Sequence, residues 1–382
     1  MEGNQNDHAS THHEGEVGPA YSIAQVELKS DLIRPAERGG TTLTQVENGE
    51  IYVIGGANRE ATCFHDVHRF DFGSRTWALL PSSRDDFLPR SGHSAVAVGS
   101  RIFVFGGLNT MDCEVYNDIH AFDTQTQKWS KMEVTGDLSP SPRNAHAAIL
   151  LPHEPRMEGT VTHCRMLVYG GSSPDEGAFN DVYLLHIPLD TDGNEAALRW
   201  EKVECLGEFP EPRELHCAAL LSPTSVCFSG GRNGDGNICT DMAILDIMTW
   251  EWQLIPICEW NRCSHVAAQI NGTLVSFGGF DGGAIRDDCW IYDDNHESWL
   301  RASAIASQPD TKCRENQADC PETLPGSFAS TLERFGHAGC SIVLHPEAGT
   351  GKATTQSLLI FGGMNASSDL NDLVLIAPEL KK

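Results

Sequence analysis

The chain has no run that approaches the roughly 18 consecutive apolar residues of a membrane span. Residues 1–20 contain no apolar stretch of the kind that heads a secretory signal. These absences make the cytoplasm the expected compartment, with any membrane association peripheral. Basic residues are scarce: 27 Lys+Arg stand against 53 Asp+Glu, a formal net charge of −26. Phosphate binding needs a clustered positive surface, so nucleic acid is not an expected partner, whereas basic peptides or proteins are admissible. No Cys-x-x-Cys pair and no Cys/His zinc spacing occurs. The cysteines number 13, an odd count with irregular spacing, and Cys227 and Cys289 sit inside apolar runs. That usage points to reduced, buried thiols rather than a disulfide framework. No nucleophile elbow or phosphate loop is present, so the expected function is not enzymatic and no catalytic, cofactor or metal site is assigned. Helix signals are few.

What is present is a repeat. A glycine pair closes a β-branched or aromatic run six times, at Ile51-Tyr-Val-Ile-Gly-Gly56, Ile102-Phe-Val-Phe-Gly-Gly107, Met166-Leu-Val-Tyr-Gly-Gly171, Val226-Cys-Phe-Ser-Gly-Gly231, Leu274-Val-Ser-Phe-Gly-Gly279 and Leu358-Leu-Ile-Phe-Gly-Gly363. Successive pairs lie 51, 64, 60, 48 and 84 residues apart. A period near ~50 residues with insertions is the mark of an array of four-stranded propeller blades. Nine to eleven residues after each pair an aspartate opens a second apolar run, at Asp66, Asp118, Asp181, Asp241, Asp288 and Asp372. A tryptophan follows at Trp77, Trp129, Trp200, Trp252 and Trp299. Ahead of the glycine runs stands Arg-x-x-His, with histidines at His93, His146, His216, His265 and His337; the first repeat keeps Arg38 and carries Thr41 instead of the histidine.

Each unit therefore reads as strand a after the arginine, b ending in Gly-Gly, c after the aspartate and d with the tryptophan. Strands b are apolar on both faces, as a blade packed between two neighbours requires. Glycines at the end of b remove Cβ atoms where the chain turns and blades approach. The tryptophan is large enough to fill the widening wedge between blades. Five copies of the histidine exceed what a metal or catalytic site needs, so a structural hydrogen-bonding role is expected.

The sixth repeat stops after Asp372-Leu-Val-Leu-Ile376, without a tryptophan strand. Tyr21-Ser-Ile-Ala-Gln-Val-Glu-Leu28 alternates as a half-buried strand does, and precedes Arg38 where a strand d belongs. It is expected to complete the last blade and leave the ring without an open edge. The expected fold is thus all-β, a six-bladed closed propeller over about residues 21–382. Residues 1–20 are expected to form a disordered acidic tail containing His8, His12 and His13. Polar insertions fall at Pro152–Cys164, Pro188–Leu198 and about 303–332.

In such a ring the d–a connections and b–c loops emerge on one face around the central channel. The candidate partner-binding residues there are Arg38, Arg90, Arg143, Arg213, Arg262 and Arg334, one per blade, with Arg232, Asn233, Phe280, Asp281, Met364 and Asn365 from the b–c loops. A ring of guanidinium forks suits the carboxylates of acidic peptides. The alternative is that each arginine braces its own blade by pairing with the aspartate of strand c. Arg232 lies outside the repeat, and Phe280 and Met364 at the equivalent loop position offer apolar contact.

These landmarks resemble the kelch superfamily over the whole chain after residue 20. Ile54-Gly-Gly-Ala-Asn58, Asp66-Val-His68, the long polar insertion before the last blade and Leu359-Ile-Phe-Gly-Gly-Met-Asn365 are most similar to the short Rab-GTPase effectors with kelch motifs. That resemblance implies a non-catalytic scaffold that binds a small GTPase or vesicle-trafficking protein in endosome-to-Golgi transport, recruited peripherally to endosomal membranes. Gly231-Arg232, Thr249-Trp-Glu-Trp252 and Arg262-Cys-Ser-His265 also resemble kelch substrate receptors of ubiquitin ligases, which capture a C-terminal carboxylate with two arginines and a serine. Here Arg232 matches the first arginine, while Asn237 and Cys263 stand at the second and at the serine.

Overall fold

The computed structural model describes residues 20–30, 32–152, 163–189, 197–257, 260–306, 332–344 and 354–379. The expectations for the N-terminal tail, and for the bulk of the three insertions at 153–162, 190–196 and 307–331, concern residues outside this set. The described residues form an all-β ring of six sheets, one per repeat. Blade 1 is Thr42–Gln45, Ile51–Ile54, Val67–Asp71 and Thr76–Leu80; blade 2 is Ser94–Val98, Arg101–Phe105, Ile119–Asp123 and Lys128–Lys131. Blade 3 is Ala147–Leu150, His163–Tyr169, Val182–Pro188 and Leu198–Lys202; blade 4 is Cys217–Ser222, Ser225–Ser229, Asp241–Asp246 and Glu251–Pro256. Blade 5 is Val266–Ile270, Thr273–Phe277, Cys289–Asp293 and Ser298–Arg301. Blade 6 takes Ala338–Leu344, Thr355–Met364 and Asp369–Pro378 from the C-terminal end and Ala20–Gln25 from the N-terminal end.

The N-terminal strand pairs antiparallel with Asp369–Pro378, so the ring closes as the alternation of residues 21–28 implied, although the strand ends at Gln25. Its register explains how a blade without tryptophan fills its wedge. Trp77, Trp129, Trp200, Trp252 and Trp299 each pair with the residue four positions after the blade's aspartate. In blade 6 that place is taken by Ile23, opposite Ile376, and Tyr21 lies two residues along on the same face. Both are buried in the cluster shared by blades 5 and 6.

The core is a circle of six such clusters, one at each interface between neighbouring blades. No single blade has a core of its own, which is why the ring is one cooperative unit. Connections between blades differ in a way the repeat did not announce. Val134–Thr135, Leu206–Gly207 and Ser303–Ala306 each add a parallel fifth strand to the outer edge of the blade they lead into. The connections into blades 2 and 5 instead place an aromatic ring flat on that blade's tryptophan. Phe87 stacks on Trp129 at 4.0 Å and Trp260 on Trp299 at 4.7 Å between centroids.

Two circles of backbone hydrogen bonds join all six blades at one end of the ring. In the first, Gly92 donates to Gly40, Ala145 to Gly92, Leu215 to Ala145, Ser264 to Leu215, Gly336 to Ser264 and Gly40 to Gly336, each at 2.8–2.9 Å. All six residues are left-handed, with φ between 53° and 64°. In the second, the N–H of the second glycine of each pair donates to the carbonyl of the next blade's arginine, as in Gly56 to Arg90 and Gly363 to Arg38, both at 2.8 Å. This contact sets the need for glycine: a Cβ on Gly55 would lie 2.7 Å from the Arg90 carbonyl oxygen, and one on Gly56 2.9 Å from that of Gly39. The six inner strands enclose a channel of about 790 Å³, lined by residues such as Leu43, Ala97, Leu150, Ala268 and Val343.

Truncating the closure strand tests its part in the ring. Deleting residues 21–28 is expected to abolish the cooperative thermal transition, while deleting residues 1–18 leaves it in place. Ile23→Ala is expected to cost about 2–4 kcal/mol in urea unfolding. The axial circle makes a second prediction. Ala145 and Leu215 hold a left-handed conformation that costs an L-residue roughly 1–2 kcal/mol. Ala145→Gly should therefore raise the urea midpoint by about 0.5–1 kcal/mol equivalent, and Gly92→Ala should lower it by more.

Candidate functional site

The face that carries the b–c loops is built from the repeated residues outward. Each arginine of the Arg-x-x-His motif is buried, five at 0% exposure and Arg262 at 5%. The side chain of Arg90 donates to both carboxylate oxygens of Asp118 at 2.6 and 3.2 Å, and to the carbonyls of Gly106 and Leu88. Arg38, Arg143, Arg213 and Arg334 repeat this with Asp66, Asp181, Asp241 and Asp372. Arg262 reaches Asp288 through one nitrogen only and donates another to Asn261. In blades 1 to 3 an aromatic ring covers the guanidinium: Phe64 over Arg38 at 3.7 Å, Tyr116 over Arg90 and Phe179 over Arg143 at 4.3 Å.

These forks are consumed inside the blades. The expectation that they form a ring offered to an acidic peptide is corrected on that ground, and the bracing alternative is the arrangement found. Burial acts to raise the Asp66 and Asp118 carboxyls, but hydrogen bonds from His68 and Arg38, and from His120 and Arg90, outweigh it. Both are held well below the usual carboxylate range.

The polar loop residues are likewise spent locally. Two residues after each glycine pair stands a side chain that caps its own loop. Asn58 accepts from the Thr62 N–H, Asn109 from Met111 and Asn233 from Asn237. Asp281 accepts from Gly283 and Ala284, Asn365 from Ser367 and Ser368, and Ser173 from Glu176. Asn233, Asp281 and Asn365 therefore shape the loops, through the short turns these side chains favour.

What the loops present is the residue immediately after each glycine pair, bridged to the residue after each arginine. The pairs are Gly39 with Ala57, Ser91 with Leu108, Asn144 with Ser172, Glu214 with Arg232, Cys263 with Phe280 and Phe335 with Met364. They line the mouth of the channel around the axial circle, and they are not alike. Leu108, Phe280, Phe335 and Met364 are half-buried and make an apolar arc across blades 5, 6, 1 and 2. The arc runs on past blade 6 because Gly39 has no side chain: a Cβ there would lie 2.8 Å from the Met364 methyl. Blades 3 and 4 complete the mouth with a polar arc. The Arg232 Nε donates to Glu214 at 3.0 Å, and the same carboxylate takes the Ser172 hydroxyl.

Arg232, Phe280 and Met364 thus reach the mouth as the loop position implied, although Arg232 is already ion-paired. Leu108, Glu214 and Phe335 were missed by sequence reasoning. Their signal was available in the first position inside Arg-x-x-His and the one after Gly-Gly, which vary while the landmarks around them repeat.

The five repeated histidines lie inside the same end of the ring. His146 meets the Ser94 hydroxyl at 2.8 Å, His265 that of Ser229 at 3.0 Å and His93 that of Thr42 at 3.3 Å, each on the preceding blade. Burial, and then the nearby arginine charge, drives His93, His216 and His265 down to about 3, and His146 and His337 well below their ordinary value of 6.5. Ten cysteines are free thiols among the described residues, and burial raises Cys227 and Cys289 to about 12. Among the described residues no group of three His, Cys, Asp or Glu side chains is placed to hold a metal ion, and no helix is long and apolar enough to cross a membrane.

A pH dependence follows from the histidines. Their folded-state values lie below the unfolded value near 6.5, so unfolding takes up protons between those limits. Their contribution to stability is complete above pH about 6.5 and is lost as pH falls, by as much as about 1.4 kcal/mol per pH unit for each. Melting temperature should fall steeply between pH about 6.5 and 5, before the aspartates titrate in the unfolded chain near 3.8. A flat profile over that interval would show that the histidines are not buried neutral.

The family model described as the KLHDC2/KLHL20/DRC7 Kelch-repeats domain matches residues 21–157 and 159–318. Among curated proteins the chain is 28% identical over 271 residues to Kelch domain-containing protein 3 of Rattus norvegicus, covering 65% of each. It is 25% identical over 266 residues to Acyl-CoA-binding domain-containing protein 4 of Arabidopsis thaliana, covering 68% of this chain and 36% of the relative. It is 30% identical over 270 residues to Host cell factor of Drosophila melanogaster, covering 62% of this chain and 17% of the relative. The chain spans less than two thirds of the length of each. With the family model matching most of its length and all six blades in place, the chain belongs to the kelch-repeat family.

Proposed function

We propose that this propeller is a non-catalytic protein-binding module whose partner seats on the channel mouth. The observation that supports this most is the break in symmetry there. Residues that repeat in every blade are buried and satisfied, whereas the mouth positions differ from blade to blade and expose Phe280, Phe335, Met364 and Leu108 together. Half-buried aromatics and methionine on a rigid rim are the usual anchors of a protein interface.

The cellular role proposed is that of an effector of a small GTPase in endosome-to-Golgi traffic, cytoplasmic and recruited peripherally to endosomal membranes. Its support is the resemblance carried by Ile54–Asn58, Asp66–His68 and Leu359–Asn365. Capture of a C-terminal carboxylate in the manner of a ubiquitin-ligase receptor is less well served, because Arg232 is paired with Glu214 and Cys263 is buried.

The test is affinity purification from native lysate followed by mass spectrometry, comparing the wild type with Phe280→Ala/Phe335→Ala. The double variant is expected to keep its melting temperature within a few degrees and to lose the captured partners by more than about tenfold. Retention of all partners would overturn the mouth as the interface. Enrichment of small GTPases or tethers supports the traffic role, and enrichment of cullin adaptors overturns it in favour of the receptor role.

A further inference from the structure

Resting on the reading of the mouth as a protein interface, we infer that its ligand is a cationic segment: an apolar residue that seats on the blade 5–6 arc, followed by lysines or arginines that cross to blades 2 and 3. The charges of the six b–c loops decide this. Those loops contain three arginines, and each is already neutralised on the same face. Arg59 lies 3.5 Å from Asp369 and donates to the Asn365 carbonyl, Arg232 is paired with Glu214, and Arg286 donates to Asp281 at 2.6 Å. The carboxylates are in excess. Asp112 and Glu114 in blade 2 and Asp175 and Glu176 in blade 3 are exposed, and those two loops hold no lysine or arginine. Among the described residues no cation is ion-paired with these four; their side-chain partners are Asn109 on Asp112 and Ser141 on Glu176. Glu60 and Asp235 extend the same sign to the flanking loops.

The two features are independent and point the same way. The apolar arc supplies an anchor site, and the acid wall stands across the mouth from Phe280 and Phe335. A partner segment of negative charge would bring carboxylates against b–c loops whose own arginines are taken, which is repulsive at the distances a bound peptide requires. A segment with an apolar residue and basic followers meets both arcs at once. Bound lysines or arginines would meet these carboxylates at contact distances, shorter than the Debye length of about 8 Å at physiological salt, so the attraction strengthens the bound state and speeds encounter.

The experiment uses the full chain and two fluorescein-labelled peptides with blocked ends, so that no terminal carboxylate contributes. Each carries one phenylalanine and, four residues on, three arginines in one peptide and three glutamates in the other. Anisotropy titrations are expected to show the arginine peptide binding at least about tenfold tighter, and weakening several-fold between about 50 and about 300 mM NaCl. Asp112→Asn/Glu114→Gln/Asp175→Asn/Glu176→Gln, with an unchanged melting temperature, should remove most of that preference.

Equal or tighter binding of the glutamate peptide overturns the inference. So does arginine-peptide binding indifferent to the fourfold variant, or no saturable binding of either peptide below about 1 mM. The lysate comparison separates the two readings. Partners lost from Phe280→Ala/Phe335→Ala but kept by the fourfold variant leave the interface standing and remove the charge argument. Partners kept by both variants remove both.

Discussion

The axial circle of six backbone hydrogen bonds is the constraint on which the rest of this molecule depends. Its geometry demands a left-handed residue in every blade, at the second position inside Arg-x-x-His, and it is met by glycine three times and by Ala145, Leu215 and Ser264 otherwise. A residue in that conformation turns the chain from the loop face into strand a. The arginine two positions earlier then lies beneath the loop, where its carbonyl takes the N–H of the preceding blade's glycine and its side chain takes its own blade's aspartate. Each blade is thereby locked to both neighbours by backbone groups alone. Such bonds are worth only about 1 kcal/mol apiece, but all twelve close together or not at all.

That lock explains the repeat. Arginine, aspartate and the glycine pair recur because each is a partner in the lock or must clear space for it, and the histidine recurs because it fills the space directly beneath. A buried guanidinium is tolerable only when its donors are satisfied, and in blades 1 to 4 and 6 two carboxylate oxygens and two carbonyls satisfy them. Arg262 shows what happens when the local chain differs: its pairing is one-sided and its Nε–H has no acceptor among the described residues. The most frequently repeated residues in the chain are therefore those least free to recognise anything.

Much of the fold was legible because a propeller writes its period into the sequence. Gly-Gly, the aspartate and the tryptophan fixed four strands per blade, and the missing tryptophan of the sixth repeat exposed the N-terminal strand as its completion. What escaped notice was whatever the period does not encode. Val134–Thr135 and Leu206–Gly207 are two-residue strands, too short to show alternation, and they pair with chain about 45 to 65 residues away. The face was legible only in outline. An arginine in every blade suggests a charged ring until its aspartate 26 to 38 residues on is seen to hold it. Side-chain charge read without its partner gives the wrong sign for the surface.

The same lock settles where variation can be tolerated. Within Arg-x-x-His the first x lies outside the circle and the second forms it, while the residue after Gly-Gly lies across from that first x. Two positions per blade are thus free of the lock, twelve around the mouth, and these are where the chain abandons sixfold symmetry. Gly39 beside Met364 illustrates the coupling: the absence of one side chain lets its neighbour lie over blade 1 and lengthen the apolar arc. A closed ring built this way separates the positions that hold the blades together from those left free to vary. Side-chain changes at Phe280, Phe335, Leu108 or the blade 2 and 3 carboxylates leave every bond of the two circles in place, whereas a change at any arginine, glycine pair or axial residue acts on all six.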